Sequence, residues 1–173
     1  MSGSSGPVIS NASPLILLSA IGRLDLLREL FGQVIVAPEV FNEVTVKGEG
    51  RPGAREVVEA DFIRTQELSD PSAAARIAQE QGIGAGEAAT LALAREMVAV
   101  VVLIDDKRGR TAARALGLAV AGTVGVLERG HERGLLPDLR SDYLRLQVVA
   151  GWIAPMVLNA SLRRLGLPPL GEG

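Results

Sequence analysis

The stretch that most restricts what this chain can become is Ala99-Val-Val-Val-Leu-Ile104. It runs straight into Asp105 and Asp106, and then into Lys107-Arg108-Gly109-Arg110. Six apolar, mostly β-branched residues in a row read as a strand buried on both faces, as in a parallel sheet covered by helices. The carboxyl end of such a strand falls where open α/β sheets hold their ligands. Adjacent carboxylates there repel one another once water is removed and call for a counter-ion. A divalent cation would supply it, and the basic residues that follow suit a polyanionic substrate. The plain alternative is a pair of acids that solvate a strand end and cap the next helix.

The rest of the chain supplies neighbours for this strand. Val8-Ile9-Ser10 reads as a first strand. Ser13-Pro14 reads as an N-cap followed by proline at the first helical position, opening a helix that carries Leu15, Ile16, Leu18 and Ile21 and stops at Gly22. Leu24, Leu27, Leu30 and Phe31 have helical spacing, and Val34–Ala37 reads as a second strand. Pro38 opens a helix with Val40, Phe41 and Val44 on its inner face. Gly48–Gly53 is a loop, Ala54–Ala60 a helix, and Phe62-Ile63 a short edge strand. Ser72–Gln81 is predicted helical. Gly82, Gly84 and Gly86 then break the chain before a long helix from Glu87 to Met97. Past the acid-tipped strand come a helix with Ala112, Ala113 and Leu116 that closes at Gly117, and a strand over Leu118–Ala121. Helices follow over 124–133, 138–149 and 154–165. Strands alternating with helices predict an α/β domain of three layers with a central, mostly parallel sheet. The 173 residues fit one domain, expected over residues 7–165. Met1–Gly6 reads as an artificial linker and 166–173 as a C-terminal tail.

Composition removes several function classes. There is no cysteine, which excludes disulfides, thiolate metal sites and cysteine nucleophiles, and which fits a cytoplasmic protein. No apolar run reaches the ~18 residues of a membrane span and no signal peptide is visible, so no membrane association is expected. A formal charge of −2 means that any basic surface must be local. Aromatic residues make up only 3%, which argues against a base-stacking platform. The single histidine, His131, lies among Glu128, Arg129, Glu132 and Arg133 and reads as a surface residue. Without a second histidine or a cysteine, a structural zinc site is not supported. The glycines at 82, 84 and 86 follow a helical stretch rather than a strand, so they are no dinucleotide fingerprint.

Oxygen-bearing residues remain. Asn11 ends the first strand, either as a turn residue or as an oxygen ligand at the sheet edge. Glu43 borders the Val40, Phe41, Val44 stripe, where it can point over that edge. Glu39, in the first helical turn, is the solvent acid. Glu87 either balances a helix dipole or faces the same edge, on a helix whose Ala88, Ala89, Ala92 and Ala94 allow close approach. With Asp105 and Asp106 these form an all-oxygen set, and hard oxygen donors select Mg2+ or Mn2+ over softer metals. Acids and an amide from separate segments, each beside a strand end, suit metal-assisted phosphodiester hydrolysis.

The chain resembles the PIN-domain ribonucleases, and most closely the VapC-like branch of uncharacterised PIN proteins. The resemblance rests on Val8–Ile16, Arg23–Gly32, Pro38–Val44, Gly84–Ala89, Leu103–Arg110 and Gly122–Leu127, in family order, over about residues 7–165. It implies a three-layer α/β/α PIN-like fold with a parallel sheet and a metal-dependent endoribonuclease activity. It further implies a toxin of a toxin–antitoxin pair, often dimeric, silenced by a small antitoxin protein. By position, Asn11 stands where the family usually has its first aspartate. Glu43 matches the second acid and Glu87 the third, and Asp106, with Asp105 beside it, matches the acids after the fourth strand. Ser13 matches a hydroxyl near the first acid. The departure is Asn11, whose amide oxygen can ligate a metal but brings no negative charge and no general base.

Together these readings predict a Mg2+- or Mn2+-dependent ribonuclease. Glu43, Glu87 and Asp106 would bind metal, and Asp105 and Asn11 would assist directly or through water. Ser13, Lys107, Arg108 and Arg110 are the candidate RNA contacts, the cations steering the backbone electrostatically. The alternative for those cations is a solvated helix start. A second reading, from another class, is a degenerate PIN-like module that binds RNA or a partner protein without cutting. A third is a small-molecule α/β enzyme.

Overall fold

The computed structural model describes residues 5–171. The chain begins with β1 (Val8–Ser10), α1 (Ala12–Ala20), α2 (Leu26–Phe31), β2 (Val34–Val36) and α3 (Pro38–Thr45). It continues through α4 (Ala54–Glu59), β3 (Ile63–Thr65), α5 (Ser72–Gln81), α6 (Ala85–Glu96) and β4 (Val101–Leu103). It ends with α7 (Lys107–Ala115), β5 (Val120–Ala121), α8 (Thr123–Glu132), α9 (Leu139–Val149) and α10 (Pro155–Arg164).

The five strands form one sheet in the order β3-β2-β1-β4-β5, with every neighbouring pair parallel. Helices cover it on both faces, giving the three-layer α/β/α architecture expected from the alternating pattern. One layer is built around α6, which packs on β1 and β4 and touches α3, α5 and α7. The other is built around α8, which touches α1, α2, α9, α10 and β5. Burial explains the apolar strands. Ile9, Val34, Val36, Val102 and Leu103 are fully enclosed, as a sheet covered on both faces requires.

The strand order matters most for function. The chain starts at β1 in the middle, moves outward through β2 to β3, then returns to β4 on the other side of β1. The switch point therefore lies between β1 and β4. Connections leaving the carboxyl ends of these two strands part there and open a crevice. Val8 pairs with Val101 and Ser10 with Leu103, so both strands end level.

Local details depart from the sequence reading at several ends. β4 covers only half of the Ala99–Ile104 run, although the Ile104 amide still donates to the Ala121 carbonyl at 2.9 Å. α1 begins at Ala12, with Asn11 rather than Ser13 in the N-cap position. Pro14 then falls in the first turn, where amides have no helical partner and a missing N–H costs nothing. α6 begins at Ala85, so Gly86 is helical rather than a break. Of the linker reading over Met1–Gly6, residues 1–4 lie outside the described residues, and Ser5 and Gly6 are exposed. The tail packs back as far as it is described. Leu170 is buried and its amide donates to Asn159 Oδ1 at 2.7 Å, while residues 172–173 lie outside the described residues.

Candidate active site

Asn11 leaves β1 at the switch point. Its amide donates to the Leu103 carbonyl at 2.8 Å, which ties the end of β1 to the end of β4. The side chain is 5% exposed and makes no cap bond to α1. It faces α6 instead, where Thr90 Oγ1 stands 3.5 Å from Asn11 Oδ1. Thr90 donates to the Gly86 carbonyl at 2.8 Å. A hydroxyl has one proton, and the shorter contact takes it, so Asn11 Oδ1 keeps acceptor capacity.

Glu43 reaches the same spot from α3 and is exposed. A Cβ on Gly86 would lie 3.2 Å from Glu43 Oε2 and 3.9 Å from Asn11 Oδ1. The first turn of α6 thus carries a glycine where a carboxylate and an amide oxygen close in. The neighbouring glycine serves a second acid, because a Cβ on Gly84 would stand 2.5 Å from Glu87 Oε2. Glu87 folds back over that glycine.

Glu87 and Asp106 line one small pocket of about 150 Å³ with Gly82, Ile83, Gly84 and Arg108. Asp106 caps α7, its Oδ2 accepting from the Gly109 amide at 2.6 Å, a short charge-assisted bond. Gly109 is needed there, since a Cβ would meet Ile104 Cδ1 at 2.4 Å. Arg108 crosses the pocket and donates to the Gly82 carbonyl at 2.6 Å. Its guanidinium is therefore tied to backbone, not to either carboxylate.

Asp105 turns the other way. Its Oδ1 accepts from the Thr123 amide at 2.7 Å and its Oδ2 from Thr123 Oγ1 at 2.7 Å, so it fixes the start of α8. Burial pushes the Asp105 carboxyl above the usual carboxylate range, while the two Thr123 bonds and the positive Arg110 hold it back. A Cβ on Gly122 would stand 2.8 Å from Asp105 Oδ1 and 2.5 Å from Arg110 Nη1. Asp105, Lys107 and Arg110 thereby face a separate, larger groove towards α8 and α10.

The structure thus gathers the candidate oxygens as two pairs, Asn11 with Glu43 and Glu87 with Asp106, on either side of the first turn of α6. Asp105 stands apart. Among the described residues, no group of three or more acids or histidines is close enough to hold a metal ion, and no ion pair reaches Glu43, Glu87, Asp105 or Asp106. In donor chemistry the pairs fit a hard divalent cation, since all are oxygens and three are carboxylates without a basic partner. Ser13 is half-buried in the first turn of α1 beside Asn11. Lys107 is exposed and Arg110 half-buried.

His131 departs from its reading as a surface residue. It is half-buried, with Nδ1 enclosed and without a hydrogen-bond partner, and it lies near the end of α8 remote from Thr123. Sequence reasoning missed Thr90 and Thr123, the hydroxyls that touch Asn11 and Asp105. Their signal was position: each lies within four residues of a glycine that brings an oxygen close to the backbone.

An α/β/α domain with carboxylates at the switch point of a parallel sheet places acids where such sheets bind their ligands. A family model described as a PIN domain matches residues 7–167, and the chain belongs to that family. PIN domains are generally nucleases that act on RNA, and they generally use divalent metals such as Mg2+. No curated protein matches the chain.

Proposed function

We propose that this protein is a metal-dependent endoribonuclease and a VapC-like toxin of a toxin–antitoxin pair. The observation that carries the reading is the set of carboxylates without ion pairs, Glu43, Glu87 and Asp106, at the switch point between β1 and β4. Glu43 and Asp106 are exposed and Glu87 is half-buried, so their oxygens are open to a ligand at the edge where such sheets bind one. Glu43, Glu87 and Asp106 would hold Mg2+ or Mn2+ once the two pairs draw together around it, with Asn11 assisting directly or through water. Asp105, bound by Thr123, would hold the start of α8 beside them. The cation, when bound, polarises the phosphate and offsets charge that builds on the leaving oxygen.

The chain's own residues do the rest. Gly84 and Gly86 let two carboxylates lie against α6. The Gly109 amide holds one oxygen of Asp106 and leaves the other free to face the pocket. Arg108 brings positive charge to the mouth of that pocket, where it attracts a phosphodiester and offsets the repulsion between Glu87 and Asp106. Lys107 and Arg110 extend the positive field along the edge. Ser13 offers a hydroxyl beside Asn11. The toxin reading adds a small antitoxin that covers the acidic edge, a second copy of this chain, and a place of action in the cytoplasm, where the RNA is.

A second reading has its own support. Asn11 brings no charge to the site, and the oxygens stand in pairs rather than as one cluster. These features favour a PIN-like module that holds RNA or a protein without cutting. Labelled single-stranded RNA with Mn2+ separates the two. Cleavage that Asp106→Asn abolishes supports the nuclease. RNA binding in EDTA with no cleavage in any divalent metal supports the binding module. Asparagine caps helices as well as aspartate does, so Asp106→Asn keeps α7 in place.

A further inference from the structure

A groove of about 950 Å³ is lined by Asp105, Lys107 and Arg110 and by Trp152 and Val157. Its volume is that of a small-ligand site. Its floor is thin, because Gly122 and Gly125 carry no side chains and Val120 and Ala121 are small. Asp105, Lys107 and Arg110 stand together at its inner end, and the rest of the lining is mostly apolar apart from Glu128 and Arg164. Lys107 and Arg110 make no ion pair among the described residues, whereas Glu128 is held by Arg164. The surplus charge at the inner end is therefore positive.

Trp152 is the outer wall. The chain has five aromatic residues, one Trp, one Tyr and three Phe. Tyr143 and Phe62 are buried, and Phe31 and Phe41 are half-buried. Trp152 alone is exposed, at 63%. A large apolar ring left in water, in line with free cations and with the carboxyl edge of the sheet, is suited to a ligand that is flat at one end and anionic at the other.

The geometry points to a subsite for one unpaired nucleotide of single-stranded RNA, its base stacked on Trp152 and its phosphate beside Arg110 and Lys107. This deepens the nuclease reading and rests on it, since the groove opens at Asp105 beside the proposed reaction edge. Stacking on an aromatic ring tolerates any base, so the subsite selects strandedness rather than sequence. A duplex keeps its bases stacked on one another and cannot offer one. The charge pattern also speaks against a second copy of this chain as occupant, because a twofold contact places the same patch on itself and would bring like cations together.

Trp152 is the sole tryptophan, so its emission reports on this groove alone. The intact protein in EDTA, titrated with a single-stranded oligoribonucleotide, should show saturable quenching, and an RNA duplex of equal length much less. Anisotropy of labelled RNA should show Trp152→Leu binding about tenfold more weakly and Trp152→Phe retaining most of the affinity. Lys107→Gln with Arg110→Gln should flatten the salt dependence of binding. Equal affinity of Trp152→Leu and the parent overturns the subsite while leaving the nuclease reading intact. Emission that follows protein concentration and ignores RNA overturns it too, and assigns this groove to a second copy. If the parent binds no RNA in EDTA by either measure, the subsite falls, while the nuclease reading is decided separately by cleavage in Mn2+.

Discussion

Asp142 and Asp106 are the same residue type in two environments. Asp142 lies on α9 with no exposed surface, and its Oδ1 accepts from Arg23 Nε at 2.9 Å and from Arg145. Arg23 comes from the turn after α1, so the contact also joins distant parts of the chain. Asp106 lies at the end of β4, exposed, held by one backbone amide and by no cation. Glu43, exposed, and Glu87, half-buried, also meet no cation among the described residues, and the guanidinium that shares a pocket with Glu87 and Asp106, that of Arg108, bonds a carbonyl instead. The chain is rich in arginine, so these carboxylates are not unpaired for want of partners. An acid that serves structure meets cations where it is buried, here through Oδ1, while Oδ2 is enclosed without a hydrogen-bond partner among the described residues. Acids that are to meet a ligand are left with open oxygens, and water bears the cost until the ligand arrives.

The strongest test of this contrast is Asp142→Ala. Asp142 is fully buried, but Arg23 and Arg145 keep 29% and 51% of their side chains exposed. Its loss therefore breaks two charge-assisted bonds without leaving a bare buried charge, and about 1.5–3 kcal/mol of stability should be lost in urea unfolding. Asp106→Asn should change stability by less than about 0.5 kcal/mol. Comparable losses at the two positions would break the comparison.

Asn11→Asp comes next. The side chain is nearly buried and shares the Gly86 cradle with Glu43. A new carboxylate there is desolvated and repelled, so the metal-free variant should be less stable at neutral pH by about 1–3 kcal/mol. The same charge strengthens a hard-cation site. Manganese should therefore raise the melting temperature of the variant more than that of the parent. Calorimetry with and without Mn2+ reads both signs. A variant unchanged in both would mean that Asn11 Oδ1 takes no part in the site.

These residues also show what the sequence made legible. The layer order, the parallel sheet and nearly every element followed from apolar runs, glycine stops and proline starts, because those signals are local. Chain order also placed the candidate oxygens at strand or helix ends. Direction was not legible. Asp105 and Asp106 are adjacent, but successive side chains on an extended backbone point to opposite sides. One therefore meets Thr123 and the other shares a pocket with Glu87. The start of α1 was misplaced for a related reason. Asn11 and Ser13 are equal caps by type, and the bond from the Asn11 amide to Leu103 places the turn at the earlier one.

A smaller effect separates capping from metal binding at Asp106. Asp106→Ala should cost about 1 kcal/mol through loss of the bond to the Gly109 amide. Asp106→Asn should keep that stability and still lose the metal-induced rise in melting temperature. If both variants lose stability equally, the charge of Asp106 rather than its acceptor oxygen supports α7.

The smallest expected effect is a slope. Burial raises the Asp105 carboxyl above its ordinary range, so the folded state holds this proton more tightly than the unfolded chain does. Its contribution to stability is fully present below the unfolded value and is lost as pH rises through the folded one. Asparagine does not titrate. Asp105→Asn loses one of the two bonds from Thr123, an offset that does not depend on pH, but it is spared the ionisation of a crowded carboxyl. The stability of Asp105→Asn minus that of the parent should therefore rise between about pH 3 and 7, the span in which carboxyls titrate. Urea unfolding of both proteins across that range checks it, with Asp106→Asn as the reference for an exposed acid. A difference that falls with pH would mean that Thr123 and Arg110 outweigh burial. Asp105 would then be a stabilised anion bound into the start of α8, closer in kind to Asp142 than to its neighbour in sequence.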